Sequence, residues 1–393
     1  MNVSDLKKHI ASGAAFRTRI TIQPMGGPGD KVFPPTYLGA EYATEKRWIG
    51  NDDDGTPQTT DCVQLDSVQS QANRMEDALQ EAFDSGRIKL PVIEVDFSDV
   101  NLVDQIDKVT SLQAPHRIAD AILRDSELDG VAFRKSDVGK QIDSVGNKNA
   151  TPLFELCPTA LLLGVWDSTG PKGGLGAKFA RALVSEIVGF NVAAGVKTGS
   201  RIDPLEIRAG AQVIKKGDEW RLAKDKEKKA VSPSEINHGN IPPTINRNAG
   251  GVTISHAEQT TVISLPAFRR LRFPVDGEYK TEYDEAARCV LLSLGFMATA
   301  LAGEQGLDLR SRCLLWPTEV PKWEFLGKPG AEPEIVEMDV DSAIKLYHEA
   351  VDAAIKVGLP YRTEPIVLKP SKSLTELLQR SQEIAASSDT EGE

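Results

Sequence analysis

Hydrophobic and polar positions alternate along residues 16–22, and this alternation predicts the first β-strand of the chain. Phe16, Thr18, Ile20 and Ile22 share one face of that strand. Apolar residues then recur with helical spacing over residues 66–83, which predicts an amphipathic helix. Asp66 and Gln69 resemble a capping box at its start, and its buried stripe consists of Val68, Ala72, Met75 and Leu79.

The remaining periodic stretches predict strands and helices in irregular alternation. Long polar insertions separate them, so we expect an α+β fold with helices on one face of the sheet and loops larger than the core needs. After residue 371 we expect a polar tail that is helical at first and disordered at the end. The expected strands lie at 92–97, 252–255, 260–265, 313–316 and 323–326, and the expected helices at 115–128, 284–302 and 341–357.

A glycine-rich segment at residues 166–181, here called the elbow, is the most informative stretch. An apolar run, 160–165, leads into it and predicts a strand, while the run after it predicts a helix with Phe179, Ala180, Leu183, Val184 and Ile187 on one side. Backbone N–H groups of such a loop and the start of a helix attract anions. The elbow therefore indicates a phosphate-binding site, although a tight turn that only needs glycine is the alternative.

The spacing within the elbow excludes the common nucleotide motifs. Ala177 precedes Lys178 where a P-loop needs glycine, and Phe179 stands where the hydroxyl or the third glycine of those motifs belongs. The loop suits a phosphodiester backbone better than a mononucleotide. Its predicted RNA contacts are Ser168, Thr169, Lys172, Gly173, Gly174, Lys178 and Arg181.

The outer face of the helix at 66–83 carries amides, a hydroxyl and an arginine instead of the usual Glu and Lys. These groups suit phosphate, ribose and base edges. We expect this face to form a second part of an RNA groove, with an ordinary solvated or helix-packing face as the alternative. The residues concerned are Gln69, Ser70, Asn73 and Arg74.

A polar stretch around residues 232–262 contains prolines, glycines and small polar groups without a hydrophobic anchor. Such a segment has little to bury within its own domain, so we expect a projecting hairpin whose ordered role needs a partner. His238, Asn240 and Arg247 are its predicted RNA contacts. A mobile surface loop is the alternative.

Composition narrows the possible functions. The chain has 393 residues, 40% of them hydrophobic, and a formal net charge of −11, which argues against a simple basic nucleic-acid binder. Charge is unevenly distributed, however, because residues 208–229 carry eight Lys and Arg against four Asp and Glu. We find no signal-peptide core or stretch of 18 apolar residues. The four scattered cysteines are typical of reduced thiols in a cytoplasmic protein.

Catalytic motifs are poorly represented. The five histidines lack metal-ligand spacing, and neither a Gly-x-Ser-x-Gly elbow nor a paired-acid pattern occurs. We therefore expect no catalytic residues, no metal site and no cofactor.

Several of these stretches together resemble the RAMP-superfamily backbone subunit of the type I CRISPR Cascade complex, a Cas-seven-like family, and are most similar to subtype I-G, formerly I-U. The resemblance spans about residues 10–325. It is carried by residues 66–76, 115–120, 166–181, 258–261, 269–273 and 309–313.

The resemblance implies an RRM-like (ferredoxin-like) palm with an antiparallel sheet and inserted finger and thumb elements. The palm with its insertions would cover 10–325, with a finger-like insert at about 98–150 and a thumb-like insert at about 200–265. A helical extension at 326–380 and a disordered tail at 381–393 would follow. The aromatic RNP signature of ordinary RRMs is absent, and aromatics make up only 6% of the chain, so stacking of that kind is not expected.

The resemblance also implies a function. Copies of the protein would assemble along CRISPR RNA without catalysis, and the guide would pair with a target DNA strand. The implied partners are the RNA, that DNA strand, further copies, and other Cascade subunits, including the large subunit and the one capping or processing the guide end. A RAMP-type endoribonuclease that cleaves bound target RNA is one alternative. A metabolic enzyme binding a phosphorylated small molecule at the elbow is another.

Overall fold

The alternating segment near the start of the chain forms strand β1, Ala15–Pro24, in this computed structural model. The structure describes residues 1–168, 176–217, 219–225 and 227–390. The predicted face of β1 is buried along Phe16, Thr18, Ile20 and Ile22, while the side chains between them are partly or fully exposed. Period-two burial thus confirms the strand and the face it presents to the core.

The described part of the chain contains ten α-helices and 24 strands. The helices are α1 Val3–Ser12, α2 Val68–Asp84, α3 Ala121–Arg124, α4 Asp137–Gln141, α5 Thr151–Leu156, α6 Pro158–Leu163, α7 Leu265–Arg269, α8 Thr281–Glu304, α9 Val340–Lys356 and α10 Lys372–Thr390. The strands after β1 are β2 Thr36–Tyr37, β3 Glu41–Tyr42, β4 Thr44–Asn51, β5 Pro57–Asp66, β6 Ile93–Asp96, β7 Lys108–Thr110, β8 Ser126–Leu128, β9 Val131–Ala132, β10 Val165–Trp166, β11 Lys178–Phe179, β12 Leu183–Phe190, β13 Ala193–Ala194, β14 Lys197–Arg201, β15 Val213–Lys216, β16 Glu219–Leu222, β17 Ile241–Asn246, β18 Val252–Thr253, β19 His256–Ser264, β20 Leu307–Asp308, β21 Leu314–Pro317, β22 Trp323–Leu326, β23 Glu334–Val336 and β24 Ile366–Pro370.

A large antiparallel sheet organises these elements. Its strands lie in the order β20, β21, β1, β19, β12, β5, β4, with β22 pairing to the rest of β1 and β23 pairing to β22. The chain passes from β1 through α2 to β12, turns back into β19, and passes through α8 to β21. These four strands therefore follow a β-α-β-β-α-β path with spatial order fourth, first, third, second. The prediction of an α+β fold is confirmed.

A second, smaller sheet has the order β7, β6, β24, β8, β9. Strand β24 runs parallel to β6 and antiparallel to β8. The region predicted as a finger-like insert and the region predicted as a C-terminal extension therefore share one sheet. The last helix, α10, continues to Thr390, past the point where we predicted the disordered tail to begin.

Helix α8 forms the centre of the hydrophobic core. It is long and apolar enough by composition to cross a membrane, but 72% of its most apolar window is buried inside the protein. It packs against α1, α2, α6 and α9 beneath the large sheet. This burial is that of the core helix of a soluble protein. The four cysteines are also buried and free, and burial raises the pKa of the Cys289 thiol to about 12.

The structure overturns the predicted elements around the elbow. The apolar run before it is helix α6, because all of its leucines are buried and such a run has no period to distinguish strand from helix. Gly164 then ends α6 with φ +86°, a conformation that favours glycine. The run after the elbow is strand β12, in which buried Leu183, Ser185 and Ile187 alternate with more exposed residues. The predicted order of strand, loop and helix was wrong.

Two smaller predictions also fail. The expected helix at 115–128 is a 3-10 turn, Arg117–Ala119, followed by the short α3 and β8, because Arg117 adopts φ +53° and interrupts the helical path. The start of α2 is capped by Ser67, whose Oγ accepts from the N–H of Ser70, so Asp66 is not the cap that we predicted. The other predicted strands and helices are confirmed to within a few residues.

We predict that Met75→Ala lowers the free energy of unfolding by about 2–5 kcal/mol, since the side chain is 1% exposed between α2 and the core and its removal leaves a cavity. Chemical denaturation measures the change. Gln69→Ala, on the exposed face of the same helix, should change stability by less than about 0.5 kcal/mol. Equal effects from the two variants would contradict this packing.

Candidate nucleic-acid interface

A row of hydroxyl groups crosses the buried face of the large sheet. Thr18 lies opposite Thr261, which lies opposite Ser185 on the next strand, and all three are buried. The Ser185 and Thr261 hydroxyls are 2.8 Å apart. Buried hydroxyls need hydrogen-bond partners. Thr18 Oγ1 has none among the described residues, whereas the Ser185–Thr261 pair finds one on the helix above it.

Gln71 on α2 is that partner. Its Oε1 accepts from Ser185 Oγ at 3.0 Å and from Gln259 Nε2 at 2.7 Å. Its Nε2 donates to Asp66 Oδ2 at 2.6 Å. Because these bonds are directional, they fix the position of α2 along the sheet more sharply than apolar contact does.

Asp66 is fully buried at the end of β5 and joins this network to two arginines. Its carboxylate accepts from Arg74 Nε at 2.9 Å and from Arg310 Nη2 at 3.0 Å. Ser70 Oγ also donates to it, at 2.8 Å, and Arg74 Nη2 donates to the Leu309 carbonyl at 2.6 Å. We call the set Asp66, Gln71, Arg74, Ser185, Gln259, Thr261 and Arg310 the polar belt.

The polar belt changes the interpretation of the α2 surface. Ser70 and Arg74, predicted as RNA contacts, form hydrogen bonds within the protein. Gln69 and Asn73 remain exposed. The belt also brings together three of the stretches that carried the family resemblance, residues 66–76, 258–261 and 309–313.

A second buried ion pair connects α2 to the elbow. Arg117 donates from Nε and Nη2 to the two carboxylate oxygens of Glu76, both at 2.7 Å, and from Nη1 to the carbonyl of Gly164 at 2.9 Å. Burial raises the pKa of Glu76 to about 7, while the charge of Arg117 opposes that rise. Residues 115–120, another of the stretches that carry the family resemblance, thus position the backbone that enters the elbow.

The described part of the elbow is a short ribbon of β10 and β11. Val165 lies opposite Phe179 and Trp166 lies opposite Lys178. Lys178 and Arg181 are exposed, as predicted for phosphate contacts, and so is Ser168. Asp167 is buried and accepts from Arg134 Nη2 at 2.8 Å. The predicted contacts Thr169, Lys172, Gly173 and Gly174 lie outside the described residues.

An insertion follows the other end of β12. We call residues 193–253 the ribbon insertion, since three two-stranded ribbons build its described part: β13 with β18, β14 with β17, and β15 with β16. Every residue of β17 is exposed, and so is nearly all of β14. Residues 256–264, predicted to belong to the thumb, instead form β19 in the middle of the large sheet.

The predicted contacts of the ribbon insertion occupy different environments. Arg247 is exposed beyond the end of β17. Asn240 is exposed, but its Oδ1 accepts from the N–H of Asp203 at 2.7 Å. The His238 ring is half-buried, edge-on to Trp220 with centroids 6.1 Å apart. The eight residues of β12 make seven steps of about 3.3 Å, so the two ends of this strand, which lead to the elbow and to the ribbon insertion, lie about 23 Å apart.

The sequence of this framework matches a known family. The family model described as CRISPR-associated protein GSU0053 matches residues 16–194. This match marks the chain as a CRISPR-associated protein. The matched segment runs from β1 to β13 and contains Asp66, the Glu76–Arg117 pair and the elbow. A search of curated proteins finds no match.

The outer face of the large sheet in this CRISPR-associated protein is covered by ion pairs. Arg19 contacts Glu258 at 2.7 Å, Arg17 contacts Glu324 at 2.5 Å, and Arg47 contacts Glu186 at 2.8 Å. Because each of these cations already has a carboxylate beside it, the face offers little attraction to phosphates. The exposed cations at the elbow and on the ribbon insertion are better placed for that role.

We predict that Arg74→Ala lowers the free energy of unfolding by about 1–3 kcal/mol, because it removes one charge-assisted hydrogen bond to the fully buried Asp66 carboxylate and one to the Leu309 carbonyl, while Arg310 remains. Asn73→Ala, one residue earlier on the exposed face, should stay within about 0.5 kcal/mol. Urea titration of both variants measures this difference. An Arg74 variant as stable as the wild type would show that the polar belt does not support the fold.

Proposed function

We propose that this protein is a non-catalytic, RNA-binding backbone subunit of a Cascade-type surveillance complex of subtype I-G. Several copies would assemble along one CRISPR RNA in antiviral defence. The ribbon insertion carries this proposal: it is exposed, cationic and built from strands that bury little within their own chain. The match to a CRISPR-associated family supplies the biological setting.

The path of the large sheet supports an RRM-like palm in this role. The β-α-β-β-α-β order and the antiparallel pairing of β21, β1, β19 and β12 are those of ferredoxin-like domains. The ribbon insertion leaves this palm between β12 and β19, as a thumb would. The second sheet, with the segment 98–150, corresponds to the finger.

Charge separation supports RNA as the ligand. The ribbon insertion carries eleven Lys and Arg against seven Asp and Glu, a formal charge of +4, whereas the whole chain carries −11. The rest of the protein therefore carries −15. A polyanion would be attracted to the insertion and the elbow and repelled by much of the remaining surface.

In this function the protein holds the guide through its backbone and leaves sequence recognition to base pairing with a target DNA strand. Other Cascade subunits, among them a large subunit and one at the guide end, would complete the complex.

Purification of the full chain with a CRISPR RNA tests the proposal. We expect a nucleic-acid-containing assembly in which the number of protein copies, measured by native mass spectrometry, rises with the length of the RNA. Incubation with complementary RNA and Mg²⁺ should leave that RNA intact. A single copy per RNA of any length would argue against a backbone subunit, and specific cleavage would favour the endoribonuclease alternative.

We predict that Lys178→Ala with Arg181→Ala weakens binding to every RNA sequence alike. The slope of log affinity against log salt is negative, and each lost phosphate contact makes it less steep by about 0.7 for single strands, so the pair should make it less steep by about 1.4. Fluorescence anisotropy over a salt series measures both quantities. Lys345→Ala with Lys356→Ala on α9 is the matched control, and an elbow variant that behaves like this control would refute the assignment.

We predict that removing the outer part of the ribbon insertion abolishes assembly without unfolding the protein. The N–H of Gly195 donates to the carbonyl of Gly251 at 2.8 Å, so the two strands of the insertion are held together where it leaves the palm. Residues 197–249 can therefore be replaced by a short Gly-Ser bridge that joins these two strands. The deletion protein should be monomeric with the thermal stability of the wild type, as seen by size-exclusion chromatography and calorimetry. Normal assemblies on long RNA would show that this insertion is only a surface loop.

A further inference from the structure

Trp166 on β10 is 53% exposed, although large aromatic side chains gain most from burial. The alternation of buried and exposed side chains along the short ribbon of β10 and β11 explains why the indole of Trp166 points to solvent. Phe179, opposite Val165, is buried, while Lys178, opposite Trp166, is exposed on the other side. The indole and the lysine are therefore cross-strand neighbours on the solvent face, with Lys178 Nζ 5.0 Å from the ring centroid.

The backbone on both sides of Trp166 is firmly held. On one side, the N–H of Asp167 donates to the carbonyl of Ala177 at 2.9 Å, and its buried carboxylate pairs with Arg134. On the other side, Gly164 accepts from Arg117. An exposed indole on such a fixed backbone loses little conformational freedom when a ligand binds, which is the property of a preorganised contact.

Electrostatics around the ring favour an anionic ligand. The nearby acids are compensated within the protein, since Asp167 pairs with Arg134 and Glu76 with Arg117. Lys178 and Arg181 remain at the surface. A flat π face beside exposed cations fits a group that is both aromatic and negatively charged.

We propose that Trp166 stacks on a nucleobase of single-stranded RNA, while Lys178 and Arg181 hold the adjacent phosphates. This inference rests on the proposed RNA-binding function and adds a base contact to it. Stacking on one tryptophan is sequence-tolerant because every base has a π face, which suits a protein that must accept any guide. It differs from the RNP mode, which places aromatics on the sheet face itself.

Binding of a single-stranded RNA of about ten nucleotides to the full-length protein tests this proposal. We expect Trp166→Ala to weaken binding about fivefold to a hundredfold, and Trp166→Phe, which keeps a ring, to weaken it much less. Trp316→Ala is the matched control, because that side chain is 55% exposed and lies opposite the uncharged Gln23. It should bind like the wild type, and all three variants should keep the wild-type melting temperature.

Two further readouts separate stacking from charge and from damage to the fold. Trp166→Ala should leave the negative salt slope unchanged, whereas Lys178→Ala should make it less steep by about 0.7. With an RNA that lacks bases, wild type and Trp166→Ala should bind equally. Unchanged affinity of Trp166→Ala for ordinary RNA, or the same loss with the abasic RNA, would overturn the stacking role alone. A wild-type protein that binds no single-stranded RNA would overturn the proposed function as well.

Discussion

The buried carboxylate of Asp66 is the constraint on which the arrangement of this protein depends. A charge without solvent is costly unless cations and hydrogen-bond donors surround it, so Arg74, Arg310, Ser70 and Gln71 must all reach it in the folded state. These residues come from α2 and from the loop before β21. Apolar packing holds the same elements together, but it is not directional. The polar belt therefore fixes the register of α2 on the sheet.

That register determines where the proposed binding surfaces lie. Glu76 on α2 receives Arg117, which in turn binds the carbonyl of Gly164 at the entry to the elbow. The elbow leads into β12, and β12 leads into the ribbon insertion. Two exposed cationic regions are thus attached to the two ends of one central strand. The ends of this strand lie about 23 Å apart, so in the proposed function one extended ligand would touch both regions only in a defined direction.

Much of this fold could be predicted from the sequence, and the failures have physical causes. The strand at β1 and helices α2 and α9 follow clear periods because each buries one face, while α8 is recognisable by the length of its apolar run. The segment before the elbow failed because α6 is buried on all sides and shows no period. The segment after it failed because Ser185 is polar yet buried, so its place in the alternation of β12 was not recognisable.

The residue types of the candidate site could be predicted from the sequence, but the hydrogen-bond partners of those residues could not. Lys178 and Arg181 are exposed, as their charge suggested. Arg74 had the same chemistry in the sequence, yet it binds Asp66, which lies eight residues away in the chain. No local pattern distinguishes the two cases, because the difference depends on which acid the fold buries nearby. Trp166 was overlooked since a lone aromatic next to a loop is usually core, and only its cross-strand pairing with Lys178 shows that it faces solvent.

An acidic protein can bind RNA if one region carries a net positive charge, because interactions between exposed charges farther apart than about 8 Å are largely screened at physiological salt. The ribbon insertion has a formal charge of +4, while acids on the outer face of the large sheet are already paired with arginines. In the proposed function the negative charge on the rest of the protein would contribute to specificity. It would repel nucleic acid that approaches from other directions, so that productive contact would require a strand that runs along the insertion and the elbow together.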